Sequence, residues 1–367
     1  MRVVPGLWVS LVTFWLELAM KSFSQGAILI VDKPIGLNCR TASAKALDKF
    51  KLMFTEPIPQ SQANKKRRTS HVKMGHAGTL DPMATGCLPV LLGQATKLQD
   101  HLPIHNKRYL AHLKLGVQTK TDDADGEVAK VDEEFVPLTK DRFDSLLAAI
   151  AARFPLGKLK QTPPIYSAIH IDGKRAYDLA RQGQVPVMPE REIELFAFTV
   201  SLVDERTVEM DVSCGTGTYI RTLGVDLAKD VFNTVGHLVK LRRVSSGPYS
   251  LPLAQIDPEN VAIARLVEFR EAVGSFAELV KVDSAEMLDW VKTGKNKLLF
   301  NKVSQVLGAD RLASPQQRPE KVAFENDHGD VLALFKIDYE LENIVSICHF
   351  KTNEDLIPFV PKEAFGA

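Results

Sequence analysis

Paired cysteines are the first thing this chain lacks. Its 367 residues hold four cysteines, Cys39, Cys87, Cys214 and Cys348, far apart and with no CxxC. That argues against a zinc ribbon and a dense disulfide framework, and it fits a reducing compartment. An excess of charge is missing too: 46 Lys and Arg against 45 Asp and Glu leave +1. The chain is no polycation, so affinity for nucleic acid must come from charge gathered on one face. No Gly-Lys-Thr/Ser closes a glycine loop and no glycine spacing fits a dinucleotide fingerprint, which removes Walker-type and Rossmann-type phosphate sites. No internal repeat is visible. With 45% hydrophobic and 25% charged residues, the remainder reads as an ordinary soluble globular protein with length for two or three domains.

One long apolar run stands out, VVPGLWVSLVTFWLELAM after Arg2. Glu17 interrupts it, no small-residue cleavage site follows, and its 18 residues make a marginal span. A start at Met20 would give a polar lead-in to a strand instead. Residues 1–25 are therefore read as an N-terminal extension, either untranslated or targeting, and no membrane partner is expected.

Ala27 to Val31 (AILIV) reads as a buried strand, and Thr41 to Leu52 has helical spacing. Next comes EPIPQSQANKKRRTSHVK, a loop or insert spanning about 55–72. Cys87 to Leu92 and Tyr109 to Leu115 read as strands. Thr139 is a plausible N-cap for a helix with Phe143, Leu146, Leu147, Ile150 and Phe154 on one face. Arg175 to Gln182 reads as a helix ending at Gly183, Phe198–Val203 and Val208–Ser213 as a hairpin, and Ile220, Leu223, Leu227 and Val231 as another helical face. After Asp257 a helical stretch to about Val306 leads through ASPQQRPEK to strands at Val331–Ile337 and Ile344–Phe350. This order implies an α+β fold rather than a doubly wound sheet, with a core over 26–257 and a C-terminal region, 258–367, ending in a small β-rich domain.

The stretch GHAGTLDPMATG, Gly75 to Gly86, holds one aspartate among three glycines. An Asp before Pro is pushed off helical backbone, and the glycines permit close approach by a ligand or another segment. By itself this could be a connecting Asx turn. A glycosidase would need a second carboxylate at a fixed separation, and the loop has none.

The whole string GHAGTLDPMATGCLPVLLGQATKL resembles the signature of the TruB family of tRNA pseudouridine synthases, and further blocks agree in order. They are DKPIG (Asp32 to Gly36), KRY (Lys107 to Tyr109), TDDADG (Thr121 to Gly126), QTPPIYSAIHIDGKRAYDLARQG (Gln161 to Gly183), CGTGTYIRTLGVDL (Cys214 to Leu227) and HLVKLRR (His237 to Arg243). The resemblance covers about residues 26 to 250. It implies a pseudouridine synthase fold, with a mixed, largely antiparallel central sheet and flanking helices, plus a PUA-like C-terminal domain. The activity it implies is isomerisation of the T-loop uridine, position 55 of tRNA, without a cofactor or a metal.

In the resemblance, Asp81 is the catalytic carboxylate, acting either by covalent addition or by taking a ribose proton to give a glycal. Arg221 keeps it charged and aimed, its planar fork suiting a carboxylate better than lysine would. Tyr109 stacks on the flipped uracil and helps remove the C5 proton. His76 fills the vacated space, Tyr219 and Leu241 are candidate apolar walls, and Lys33 supports the loop; these four are the substrate-binding candidates. For the RNA backbone the candidates are Lys65, Lys66, Arg67, Arg68, Lys73, Arg242 and Arg243. The KKRR run is otherwise a solvated stretch or a nuclear address. The chain departs from the family pattern at Leu37-Asn38-Cys39, where Ser/Thr-Ser is common, and at His170, where lysine is common. The expected partner is the tRNA T-arm, bound by a monomer in the cytoplasm, or in the nucleus or mitochondrion of a eukaryote. A catalytically silent RNA-binding or RNA-folding module is the competing reading; retention of the Asp, Tyr and Arg positions favours the enzyme.

Overall fold

The computed structural model describes residues 25–53, 72–171 and 173–352. Among them the strands are β1 (Gly26–Lys33), β2 (Met74–His76), β3 (Thr85–Gly93), β4 (Lys107–Leu115), β5 (Val117–Thr119), β6 (Val128–Val131), β7 (Gly157–Gln161), β8 (His170–Ile171), β9 (Lys174–Arg175), β10 (Arg191–Asp204), β11 (Thr207–Cys214), β12 (Gly236–Ser246), β13 (Tyr249–Ser250), β14 (Ala262–Glu268), β15 (Glu278–Lys281), β16 (Lys321–Glu325), β17 (Val331–Asp338) and β18 (Asn343–His349). The α-helices are α1 (Cys39–Met53), α2 (Lys140–Arg153), α3 (Ala176–Arg181), α4 (Ile220–Asp230), α5 (Phe269–Gly274), α6 (Ala285–Thr293) and α7 (Asn296–Ala313).

The main sheet runs β14-β1-β3-β12-β4-β11-β10-β7, with β2 on β3 and β13 on β12. Every pairing in it is antiparallel except that of β3 with β12. The run AILIV lies in β1, all of whose residues are buried, because the strand is covered on both faces. Leu29 and Val31 enter a core under α1, α2 and α4, whereas Ile28 and Ile30 enter a second core shared with α5, with Ala323, Val331 and Leu334 of the C-terminal sheet and with Phe350 just after it. Each such side chain stabilises the fold by roughly 1.5–3 kcal/mol on burial. Thr139 caps α2 as expected, its hydroxyl accepting from the Arg142 amide at 3.2 Å.

Strands β15 to β18 form a separate sheet, flanked by α6 and α7. Gln25 ties it to the core: its amide nitrogen donates to the Val331 and Lys351 carbonyls at 2.9 and 2.7 Å, and its oxygen accepts from the Val331 amide at 2.9 Å. The boundary expected at 257/258 is corrected, since β14 completes the main sheet by pairing along β1. Part of the helical stretch expected there is likewise strand. The N-terminal extension before Gln25 and the KKRR run lie outside the described residues.

Candidate active site

The aspartate loop joins β2 to β3 and is anchored on both sides of Asp81. Before it, the Leu80 amide donates to the Cys39 thiol at 3.1 Å and the thiol donates back to the Leu80 carbonyl at 3.3 Å. After it, the Pro82 carbonyl accepts from the Gly36 amide at 2.9 Å and from Lys33 Nζ at 3.0 Å. Lys33 has no exposure, and its other contacts are the Pro34 and Leu37 carbonyls at 3.0 and 2.7 Å. Burial pushes its pKa down to about 8, with nearby Cys39, Asp81 and Asp125 opposing. All three of its N–H groups are committed to carbonyls, so this lysine holds the loop and does not reach outward. At Leu37-Asn38-Cys39, where the chain departs from the family pattern, Asn38 Oδ1 accepts from the Thr41 amide at 2.8 Å, capping α1, while Cys39 grips Leu80.

Gly86 closes the loop at φ 104°, where a Cβ would lie 2.2 Å from the Arg243 carbonyl oxygen. Only glycine fits there. The answer to the lone aspartate is therefore geometric: Asp81 is the half-exposed carboxylate, 36% accessible, of a loop otherwise fixed by its neighbours.

Arg221 comes to Asp81 from the first turn of α4. The side-chain amide of Gln161 sets that helix start, donating to the Tyr219 carbonyl at 3.0 Å and accepting from the Tyr219 amide at 2.9 Å. The guanidinium is 4% exposed, and its Nε lies 2.9 Å from Asp81 Oδ2. That contact has ion-pair distance but not hydrogen-bond alignment, since Nε has no aligned acceptor. The terminal nitrogens donate elsewhere, Nη1 to the Thr121 carbonyl and Nη2 to the Tyr166 carbonyl, both at 2.9 Å. The forked, two-bond grip expected from the sequence is thus corrected: two carbonyls fix the guanidinium, and a single nitrogen faces Asp81.

A second carboxylate, missed in the sequence reading, shares this cation. Asp123 Oδ2 lies 3.8 Å from Arg221 Nε with 7% of its side chain exposed. It is held by the Thr121 hydroxyl and the Asp125 amide. The TDDADG block was recognisable, but three neighbouring aspartates do not reveal which one turns inward. Burial raises the pKa of Asp122 and of Asp125, and for Asp125 the charges of Asp123 and Asp81 add to it.

Under the loop, β3, β12 and β4 lie side by side. Arg243 on β12 is opposite Gly86 of β3 and Tyr109 of β4. Tyr109 is buried, and burial pushes its pKa up while Arg243 opposes. Lys107, two residues before it, donates to the Ile104 carbonyl and the Thr216 hydroxyl at 2.9 and 3.0 Å, and its pKa falls to about 8 through burial and then Arg243. His76, half-buried, has Nδ1 enclosed without a partner, and burial followed by Arg243 lowers its pKa, so the ring is neutral near pH 7. Tyr219 is half-buried at the start of α4, and Leu241 lies in the main core opposite Ala111.

Two of the RNA-backbone candidates are corrected. Arg243 has no exposure and donates to the Cys87 and Gly78 carbonyls at 2.7 and 2.8 Å. Arg242 pairs in two-pronged fashion with buried Asp32, at 2.9 and 3.0 Å, and caps the Pro252 and Ala254 carbonyls. Neither guanidinium is available to a phosphate. Lys73 is exposed just before β2, and Lys65, Lys66, Arg67 and Arg68 lie outside the described residues. Among the described residues no cluster of His, Cys, Asp and Glu could hold a metal ion, and no helix is long and apolar enough to cross a membrane.

Residues 66–220 match the model of the "TruB family pseudouridylate synthase (N terminal domain)". A "tRNA pseudouridine synthase B" of Psychrobacter cryohalolentis is 39% identical over 239 residues, 65% of this chain but 59% of that protein. The chain thus spans less than two thirds of that relative. A protein of the same name from Shouchella clausii is 34% identical over 273 residues, 72% of this chain and 84% of its own. Among solved structures, a chain of "a Cbf5-Nop10-Gar1 Complex" superposes with TM-score 0.50 at 19% identity, over 95% of this chain and 88% of that one, which is a likeness of fold. The Shouchella match, 34% identical over 84% of that protein, shows that the chain belongs to the TruB family of pseudouridylate synthases, the family whose N-terminal model it also matches.

Proposed function

We propose that this chain is a tRNA pseudouridine synthase that isomerises the T-loop uridine, position 55, with Asp81 as the catalytic carboxylate. The observation that carries the reading is the half-exposed Asp81 with the buried Arg221 Nε at 2.9 Å. An anion at the end of an anchored loop, facing a cation that cannot swing away, suits a reaction centred on one sugar carbon.

In that reaction the bond from C1′ to N1 breaks, the uracil turns, and a bond from C1′ to C5 forms. One hydrogen leaves C5 and one arrives at N1, so every atom and electron of the substrate is conserved and no redox partner enters. Asp81 supplies the anion, either by adding to the sugar or by taking a ribose proton. Arg221, held by two carbonyls, faces that carboxylate and offsets the desolvation a bound base imposes on it. Tyr109 stacks on the base and receives the C5 proton. The uridine must leave its stack, at a cost of a few kcal/mol, and neutral His76 takes its place. Tyr219 and Leu241 supply apolar surface and Lys33 fixes the loop. Lys73 and the neighbouring KKRR run grip phosphates of the T-arm, and a single chain performs the reaction in the cytoplasm.

The test is incubation with unmodified tRNA followed by carbodiimide treatment and primer extension. A stop at the T-loop uridine is expected; a protein that binds tRNA yet produces no stop is an RNA-binding module of the same fold.

A further inference from the structure

Three non-glycine residues among those described have left-handed backbone: Asp122 at φ 61°, Asn233 at 52° and Glu342 at 47°. Asn233 lies in the connection from α4 to β12 and Glu342 in that from β17 to β18. Asp122 is the one that borders the candidate site. Such backbone is disfavoured for a residue with a Cβ, aspartate and asparagine tolerating it best, and a residue held in it points to a use.

The Asp122 turn joins β5 to β6 and is closed from within. The Asp122 amide donates to the Thr119 carbonyl at 3.3 Å, and its Oδ1 accepts from Gln118 Nε2 at 3.0 Å. Gly126 packs so tightly that a Cβ there would lie 2.3 Å from the Thr121 hydroxyl oxygen. The three residues at the tip each reach another element. The Thr121 carbonyl accepts from Arg221 Nη1 at 2.9 Å, the Asp122 carbonyl accepts from the Leu238 amide at 3.0 Å, and Asp123 Oδ2 lies 3.8 Å from Arg221 Nε. Leu238 sits where β12 bulges in its pairing with β4. Peptide units are planar, so the φ torsion of Asp122 is the one that sets the Thr121 carbonyl against the Asp122 carbonyl and all that follows it.

Resting on the reading of this site as a pseudouridine synthase, we propose that Asp122 is a positioning residue for Arg221: its left-handed turn, pinned to β12 at Leu238, aims the Thr121 carbonyl and the Asp123 carboxylate at one guanidinium and so sets the nitrogen that faces Asp81. The side chain suits the task twice over. It accepts this backbone, and its carboxylate ties the turn to Gln118 of β5. A β-branched residue does neither. The role does not need the charge of Asp122. Asparagine tolerates the same backbone and keeps an acceptor oxygen for Gln118, so it should serve in its place.

The test measures kcat and KM on unmodified tRNA for wild type, Asp122→Asn, Asp122→Val, Arg221→Lys, and Asp122→Val combined with Arg221→Lys, with urea midpoints to identify any variant that has not folded. Asp122→Val is expected to lower kcat by roughly 10–100-fold, up to the loss for a misplacement of about 1 Å, with KM little changed, while Asp122→Asn stays within a few-fold of wild type. In the Arg221→Lys background Asp122→Val should cost at most a few-fold, because the fork that the turn aims is gone. A turn that serves only the fold would give losses that multiply. Multiplying losses, a wild-type rate in Asp122→Val, or a loss in Asp122→Asn as large as in the valine variant overturn the proposal. Should Asp122→Val fail to fold, the milder Asp122→Ala takes its place in both backgrounds and is judged by the same outcomes. Wild-type protein that makes no pseudouridine sinks the reading of the site, whereas active wild type with multiplying losses sinks this inference alone.

Discussion

Arg221 Nε lies 2.9 Å from Asp81 Oδ2 while both terminal nitrogens of the same guanidinium are held by the carbonyls of Thr121 and Tyr166. The cation is therefore positioned by main chain from two other segments, and Asp81 is positioned against it. Arg221→Lys keeps one charge and loses the carbonyl fixation, because an ammonium lacks the fork. We expect kcat to fall by about 100-fold or more, as for a misplacement of about 1 Å, with tRNA affinity little changed. Single-turnover rates and filter binding measure the two separately; activity within a few-fold of wild type would end the proposed partnership.

Cys39 serves the same loop from the other side, through both hydrogen bonds to Leu80. A hydroxyl can donate and accept in the same place, so Cys39→Ser should retain most of the rate. Cys39→Ala leaves the Leu80 amide without its partner, a loss of about 1–3 kcal/mol for a buried group. Steady-state kinetics of both variants should show a clear deficit in the alanine variant alone.

Gly86→Ala is a packing prediction. The added Cβ would meet the Arg243 carbonyl oxygen at 2.2 Å on left-handed backbone. Strain of that backbone alone costs about 1–3 kcal/mol, and the clash adds to it. Urea unfolding should show a loss of at least about 3 kcal/mol; an unchanged midpoint would mean that β3 and β12 are not paired here.

Alkaline stability tests the buried ionisable groups together. Lys33 and Lys107 are lowered from 10.5 to about 8, so above pH 8 the unfolded chain holds more protons and stability rises with pH. Cys87, Cys214 and Cys348 are raised from 9 to about 11, so above pH 9 the folded chain holds more protons and stability falls. Three thiols outweigh two lysines, and the unfolding free energy should rise from pH 8 towards 9 and decline beyond it. Urea titrations at half-unit steps read this directly, and a steady decline from pH 8 would contradict the lysine environments.

Much of this was legible in the chain, for reasons that can be named. β1 is an unbroken apolar run, β4 and α2 carry strong periodicity, and the Thr139 cap has a local cause. β12 was not read as a strand, because Lys240, Arg242 and Arg243 look like a basic surface patch. The partners of the two arginines, Asp32 for Arg242 and the Cys87 carbonyl for Arg243, lie 210 and 156 residues away in sequence, and no local pattern points to them. β14 follows a boundary drawn from a change of texture, and only its pairing with β1 assigns it to the core sheet. Asp81 stood out because a lone carboxylate among glycines is visible locally, whereas the partner that gives Asp123 its place in the site, Arg221, sits on a distant helix.

The most direct measurement maps pseudouridine in unmodified tRNA after incubation with wild type and with Asp81→Asn, alongside tRNA binding by both. The amide preserves the shape of the side chain and cannot supply the anion. Modification of the T-loop uridine by wild type, none by Asp81→Asn, and similar tRNA affinity for the two is the result predicted here. Wild-type modification by Asp81→Asn would contradict the account at its centre.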